Sequence, residues 1–163
     1  MVHLCYTSLP LYNSVRIACV SCPSAYTHIK ELHPDSDRHY LFEYDKRFQE
    51  RFPEHFVYYD YSYPLNIDKK FKAYFDIVIV DPPYLSEECL EKTSETVQFL
   101  TKDKIVLCTG AVMEDCAKKL LGVIATNFTP QHKRKLGNEF KCYTNWNFDE
   151  FLKDISRESL SSS

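Results

Sequence analysis

Asp81-Pro82-Pro83-Tyr84 is the tetrapeptide of this 163-residue chain with the clearest capacity for chemistry. It follows the apolar run Phe75-Asp-Ile-Val-Ile-Val80, and two prolines after such a run halt a β-ladder, fix φ and turn carbonyls outward instead of leaving them paired. An amino group brought there can donate one hydrogen bond to the Asp81 carboxylate and another to the Pro82 carbonyl. Its nitrogen lone pair is then aimed at an electrophile. Tyr84 can pack against the flat or aliphatic part of the molecule that carries the amine. The plainer alternative is a strand-ending turn. D-P-P is a common breaker, but a buried strand leading into D-P-P-Y is much rarer.

Acids stand at the ends of two earlier apolar segments. A carboxylate after the second strand of an α/β unit can accept both hydroxyls of a ribose, and one after the third can accept the exocyclic amine of an adenine. Glu43 is assigned to the ribose, with Asp45 in reserve, and Asp60 to the adenine. Any one of these acids alone reads equally well as solvated, but two at corresponding positions favour a nucleoside cofactor. Cys19 and Cys22 have C-x-x-C spacing, yet Cys19 lies inside an apolar run and no second pair completes a zinc set, so no metal is expected. His132-Lys133-Arg134-Lys135 can contact RNA or an acidic protein face, although such runs are mostly solvated loops. Of Tyr58, Tyr59, Tyr61 and Tyr63, alternation sends about half into the core, and any that points into the site can stack on adenine or enclose a methylammonium.

Positioning these residues requires alternating strands and helices. Arg16–Val20 reads as a strand, Ser21-Cys22-Pro23-Ser24 as its turn and cap, and Ala25, Ile29 and Leu32 as the apolar stripe of a helix. His39–Tyr44 and His55–Asp60 are further strands separated by a short helix over Lys46–Phe52. Phe75–Val80, five of six residues apolar and without alternation, belongs at the centre of a parallel sheet covered on both faces. Ser86 caps a helix whose stripe is Leu90, Thr93, Val97 and Leu100, with Glu87 and Glu88 in its first turn. Lys104–Cys108 is the next strand. A helix stopped by Gly122 follows, with Met113, Cys116, Leu120 and Leu121 inward. Val123–Thr129 and Glu139–Trp146 form a closing antiparallel hairpin around the basic loop Gln131–Gly137. The fold is therefore α/β, a doubly wound Rossmann-like sheet with a C-terminal antiparallel hairpin. Ligands in such sheets bind beyond the carboxyl ends of the strands, which places the site at residues 21–24, 43–45, 60–61 and 81–84 and brings in Ser21, Cys22, Pro23 and Tyr61.

Composition narrows the field. Lys+Arg 20 against Asp+Glu 23 gives a net charge of −3, so no global basic field gathers nucleic acid. Only three glycines are present, too far apart for G-x-G-x-x-G or a P-loop, so a cofactor must be held without a glycine cradle. Seven cysteines, an odd number scattered through apolar runs, read as reduced thiols in the cytosol or nucleus. Apolar stretches of a few residues fall far short of the roughly 20 that span a bilayer, so the expectation is a cytoplasmic protein with no membrane partner. The domain is assigned to residues 16–148, between a short segment over 1–15 and a polar tail over 149–163 that is expected to fray.

D-P-P-Y after a buried fourth strand, with the terminal hairpin, resembles the class I S-adenosylmethionine-dependent amino-methyltransferases. Within them, Phe42-Glu-Tyr-Asp-Lys-Arg-Phe48, the run Phe75–Leu90, Cys108-Thr-Gly-Ala111 and Asn138-Glu-Phe140 resemble the lysine methyltransferases of translation elongation factor 1-alpha, once described as adenine-specific DNA methyltransferases. The resemblance covers about residues 16–147 and is most specific over 75–111. It implies a seven-stranded sheet of order 3-2-1-4-5-7-6, S-adenosylmethionine as donor and a lysine ε-amine of the elongation factor as acceptor. The catalytic set it implies is Asp81, Pro82, Pro83 and Tyr84. The cofactor set is Ser21, Cys22, Pro23, Glu43, Asp45, Asp60, Tyr61 and Asp81. The expected enzyme is a monomeric protein-lysine N-methyltransferase for which nucleic acid is not a partner. Two departures stand out. Ser21-Cys22-Pro23-Ser24 replaces the glycine-rich turn of most class I enzymes, a variant this family shares. Met1–Val15 is shorter than the helical cover that precedes the first strand in the family, so the chain looks truncated or alternatively started. The alternatives are methylation of adenine's amine in DNA or RNA, and a non-catalytic binding protein with a degenerate methyltransferase fold.

Overall fold

The computed structural model describes residues 14–128, 139–151 and 153. Strand β1 (Ile17–Val20) leads into helix α1 (Pro23–Leu32), β2 (His39–Glu43) into α2 (Arg47–Arg51), and β3 (Phe56–Tyr58) into a long connection that ends at β4 (Phe75–Val80). Then come α3 (Glu87–Leu100), β5 (Thr101–Gly110), α4 (Glu114–Leu121), β6 (Ile124–Ala125) and β7 (Phe140–Thr144). The seven strands form one sheet of order β3-β2-β1-β4-β5-β7-β6. The first four pairings along it are parallel and β7 is antiparallel to both neighbours. This is the order and the closing hairpin that the sequence and its resemblance imply.

The pleat explains the two-sided burial. In β1, Ala18 and Val20 point to the face covered by α3 and α4, while Ile17 and Cys19 point to the face covered by α1. In β4, Phe75, Val78 and Val80 take the first face and Ile77 and Ile79 the second, so a continuous apolar run is what a central parallel strand requires. Burying each such side chain contributes about 1.5–3 kcal/mol. Helix α3 starts where Ser86 Oγ accepts the Cys89 N–H at 3.2 Å, and its expected stripe of Leu90, Thr93, Val97 and Leu100 is buried.

Other boundaries move. Leu32 is 44% exposed, because α1 ends there, and fully buried Tyr26 takes its place against the sheet. In α4 the fully buried residue is Ala117, in i,i+4 register with Met113 and Leu121, whereas Cys116 and Leu120 are only partly buried. Strand β3 has three residues instead of six and β6 two instead of seven, since each is an outer strand with one neighbour. Strand β5 lengthens to ten residues between two partners. Residues 148–151 are helical, Phe148 is buried in the second core and Asp149 accepts from Asn127, so the tail begins tied down. The basic run His132–Lys135 and residues 1–13 lie outside the described residues. No helix among the described residues is long and apolar enough to cross a membrane.

Candidate active site

Parallel pairing brings the carboxyl ends of β1 to β4 to one edge, and backbone bonds fix the first residues past them. The Ser21 N–H donates to Phe42 O at 2.9 Å, the Tyr59 N–H to Glu43 O at 3.1 Å and the Asp81 N–H to Val20 O at 3.1 Å. Strand order reverses between β1 and β4, so the switch point of the sheet, where ligands bind in such folds, falls at Ser21 and Asp81.

Ser21 turns the chain with φ of 55°, a left-handed conformation that costs a residue with a side chain about 1–2 kcal/mol and that glycine adopts freely. Cys22 is the N-cap of α1, makes no side-chain cap bond, and is followed by Pro23 in the first turn. The Cys22 thiol donates to Ile79 O at 3.4 Å. Burial, reinforced by Cys19, Asp81 and Cys108, pushes that thiol well above its ordinary pKa, so it is an apolar wall rather than a thiolate. Cys19, Cys22, Cys89 and Cys116 carry free thiols, and the described residues contain no group of three His, Cys, Asp or Glu side chains able to hold a metal.

Asp81 is partly buried beside buried Pro82, while Pro83 and Tyr84 are exposed. Burial raises its pKa from the ordinary 3.8 to about 6. At the end of β5, a Cβ on Gly110 would come within 3.1 Å of the Leu85 side chain, so Leu85 packs closely over that backbone. Glu43 Oε1 accepts the Asp45 N–H at 3.0 Å, which fixes the carboxylate at the end of β2. Asp45 faces away from that duty, since it pairs with the exposed Arg47 guanidinium, which lowers its pKa. Asp60 Oδ1 accepts the Ser62 N–H at 2.9 Å.

Of the four tyrosines one enters the core, fewer than the half that alternation predicts, because β3 ends at Tyr58 and the other three follow in a turn. Tyr59 is buried and its hydroxyl meets Thr96 Oγ1 at 2.9 Å; Tyr58 and Tyr63 are exposed. Tyr61 is half-buried and its ring meets that of Tyr84 edge to face at 5.8 Å. Sequence reasoning missed this meeting, as it missed the left-handed Ser21: a pair of residues this far apart in the chain leaves no spacing signal, and serine does not announce a positive φ. The structure thus brings Ser21, Cys22, Pro23, Glu43, Asp60, Tyr61 and Asp81–Tyr84 to one edge and turns Asp45 towards Arg47.

Sheet order and crevice define the seven-stranded α/β methyltransferase fold. Magnesium protoporphyrin IX methyltransferase from Synechocystis PCC 6803, solved with bound SAM, superposes with a TM-score of 0.60 at 13% identity, over 88% of this chain and 74% of that one. The chain belongs to the family described as Probable N6-adenine methyltransferase, whose model matches residues 5–148. Similar curated proteins are EEF1A lysine methyltransferase 1 of Mus musculus, 55% identical over 132 residues covering 80% of this chain and 61% of that protein. Its counterpart in Danio rerio is 50% identical over 135 residues, covering 80% of this chain and 81% of that protein. The chain spans about three fifths of the length of the mammalian relatives.

Proposed function

We propose that this chain is an S-adenosylmethionine-dependent protein-lysine N-methyltransferase that acts on translation elongation factor 1-alpha in the cytoplasm. The observation that carries the reading is the desolvated Asp81 carboxylate, held by an Asp-Pro-Pro-Tyr turn at the switch point of the sheet. The names of the relatives supply the acceptor.

The residues present fit the donor. Ser21 makes the tight turn, Glu43 has its second carboxylate oxygen for a ribose, and Asp60 stands in the turn just past β3 for an adenine amine. Cys22 and Pro23 wall the turn, and Asp45 remains the reserve for Glu43. When bound, S-adenosylmethionine supplies a methyl group on a sulfonium sulfur. A lysine amine, ordinarily protonated with a pKa of about 10.4, must arrive uncharged. The desolvation that raises the Asp81 pKa disfavours the ammonium as well, the Asp81 carboxylate accepts a hydrogen bond from the amine, and the Pro82 carbonyl accepts the second. Pro83 keeps the turn rigid and Tyr84 lies along the lysine's methylene stem. Alignment and removal of water are the protein's main contributions.

The test is mass spectrometry of elongation factor 1-alpha after incubation with the protein and labelled donor. A new methyl-lysine that is lost in Asp81→Ala supports the reading. Label appearing on adenine of a DNA or RNA acceptor instead favours the amine named in the family description. No heat on titrating the donor favours a binding protein without catalysis.

A further inference from the structure

We infer that Tyr61 is a positioning residue that sets the acceptor channel by bracing Tyr84; this rests on the proposed lysine methylation. Tyr84 leaves the rigid turn after Asp81 with 61% of its surface exposed, and an exposed ring on a turn swings unless something holds it. Its ring contact within the described residues is with Tyr61, edge to face at 5.8 Å and 63°. Tyr61 is suited to the task. It is half-buried, packs against the core beneath α3, and follows Asp60, whose carboxylate closes the local turn by accepting the Ser62 N–H. The braced ring therefore belongs to the site and the bracing ring to the scaffold.

The pair bears on the acceptor by its place. Tyr84 is exposed three residues after Asp81, so a lysine whose amine bonds to Asp81 has an apolar ring there for its four methylenes. Tyrosine faces also attract ammonium groups, more so when water is excluded. An edge-to-face contact is made by the rings, so the Tyr61 hydroxyl is dispensable for it. The sequence groups Tyr61 with the donor residues, but its ring meets Tyr84, which the same reading gives to the acceptor, so donor calorimetry on the Tyr61 variants decides between the two roles.

Steady-state methyl transfer to elongation factor 1-alpha, donor calorimetry and a melting curve test this on wild type, Tyr61→Phe, Tyr61→Leu, Tyr84→Leu and the double variant. Tyr61→Leu is expected to raise KM for the protein acceptor about 3- to 10-fold, the scale of a lost aromatic pair, with donor Kd within about 2-fold of wild type. Tyr61→Phe should restore wild-type KM. Tyr84→Leu, exposed and safe for folding, should raise KM at least as much, and adding Tyr61→Leu to it should change nothing further, because one residue acts through the other. Additive effects, an unchanged KM in Tyr61→Leu, or a lost donor affinity with KM intact would each overturn the inference and leave the proposed function standing. A wild-type protein that methylates no lysine overturns both.

Discussion

Asp81 has to be ionised to hold an amine, yet the fold partly desolvates it and raises its pKa to about 6. Protonation below that value converts an acceptor into a donor, so transfer per molecule should rise with pH through about 6. Asp81→Asn, nearly the same shape, should lower single-turnover transfer by at least ~100-fold through misalignment and should erase that acid limb from whatever activity remains. A pH–rate profile that keeps its limb in the variant would assign the limb to another group. Glu43 offers a second test at this scale, because one oxygen serves the backbone and the other is left for a ribose. Glu43→Ala should weaken donor binding by about 1.5–3 kcal/mol, the scale of hydrogen bonds to a charged acceptor. Glu43→Gln, which retains an oxygen for the Asp45 N–H, should lose a smaller part. Calorimetry on the folded variants decides, and unchanged affinity in both would return the ribose to Asp45 or remove it from this edge.

Among the elements, the turn between β1 and α1 carries the clearest cost. The left-handed Ser21 costs about 1–2 kcal/mol, whereas glycine there would add about 0.4–1 kcal/mol of unfolded-state entropy. Ser21→Gly should therefore stabilise by only roughly 0.5 kcal/mol, and Ser21→Val, whose branched Cβ fits a positive φ worst, should destabilise. Urea midpoints measure both, and a Val variant as stable as the Gly variant would mean that the turn relaxes. That turn also marks what the sequence could disclose. Strand β4 was legible to the residue, because a strand covered on both faces must be apolar throughout, and α3 was legible from Ser86 and its stripe. Strands β3 and β6 were not, since apolar residues continue past the point where an outer strand loses its partner. Glu43, Asp60 and Asp81 could be placed because strand ends in a doubly wound sheet share an edge. The Tyr61–Tyr84 contact could not, because it depends on how two loops fold over that edge.

Among the described residues, His39 and Asp81 are desolvated titratable groups at opposite ends of the sheet. His39 begins β2, is fully buried beside His33 at 6.3 Å between ring centres, and has its pKa lowered to about 4 by burial, then by His33, Lys30 and His55. Asp81 ends β4 with its pKa raised to about 6. Their signs oppose. For His39 the folded pKa lies below the unfolded 6.5, so its contribution is present above that value and is lost as pH falls towards about 4. For Asp81 the folded pKa lies above the unfolded 3.8, so its contribution is present at low pH and is lost as pH rises through about 6. Between about 4 and 6, the unfolded chain binds one more proton at His39 and one fewer at Asp81, and the two slopes, each about 1.4 kcal/mol per pH unit, cancel. Removing either group exposes the other. Asp81→Asn should lose stability on acidification across this window relative to wild type, and His39→Leu should gain it. Urea unfolding at pH 4.5, 5.2 and 6 checks this through the difference between the variants' slopes, in which titrations common to all three proteins drop out. Parallel curves for wild type and both variants would mean that neither group is held away from its unfolded pKa, and the desolvated Asp81 on which the proposed chemistry rests would fall with them.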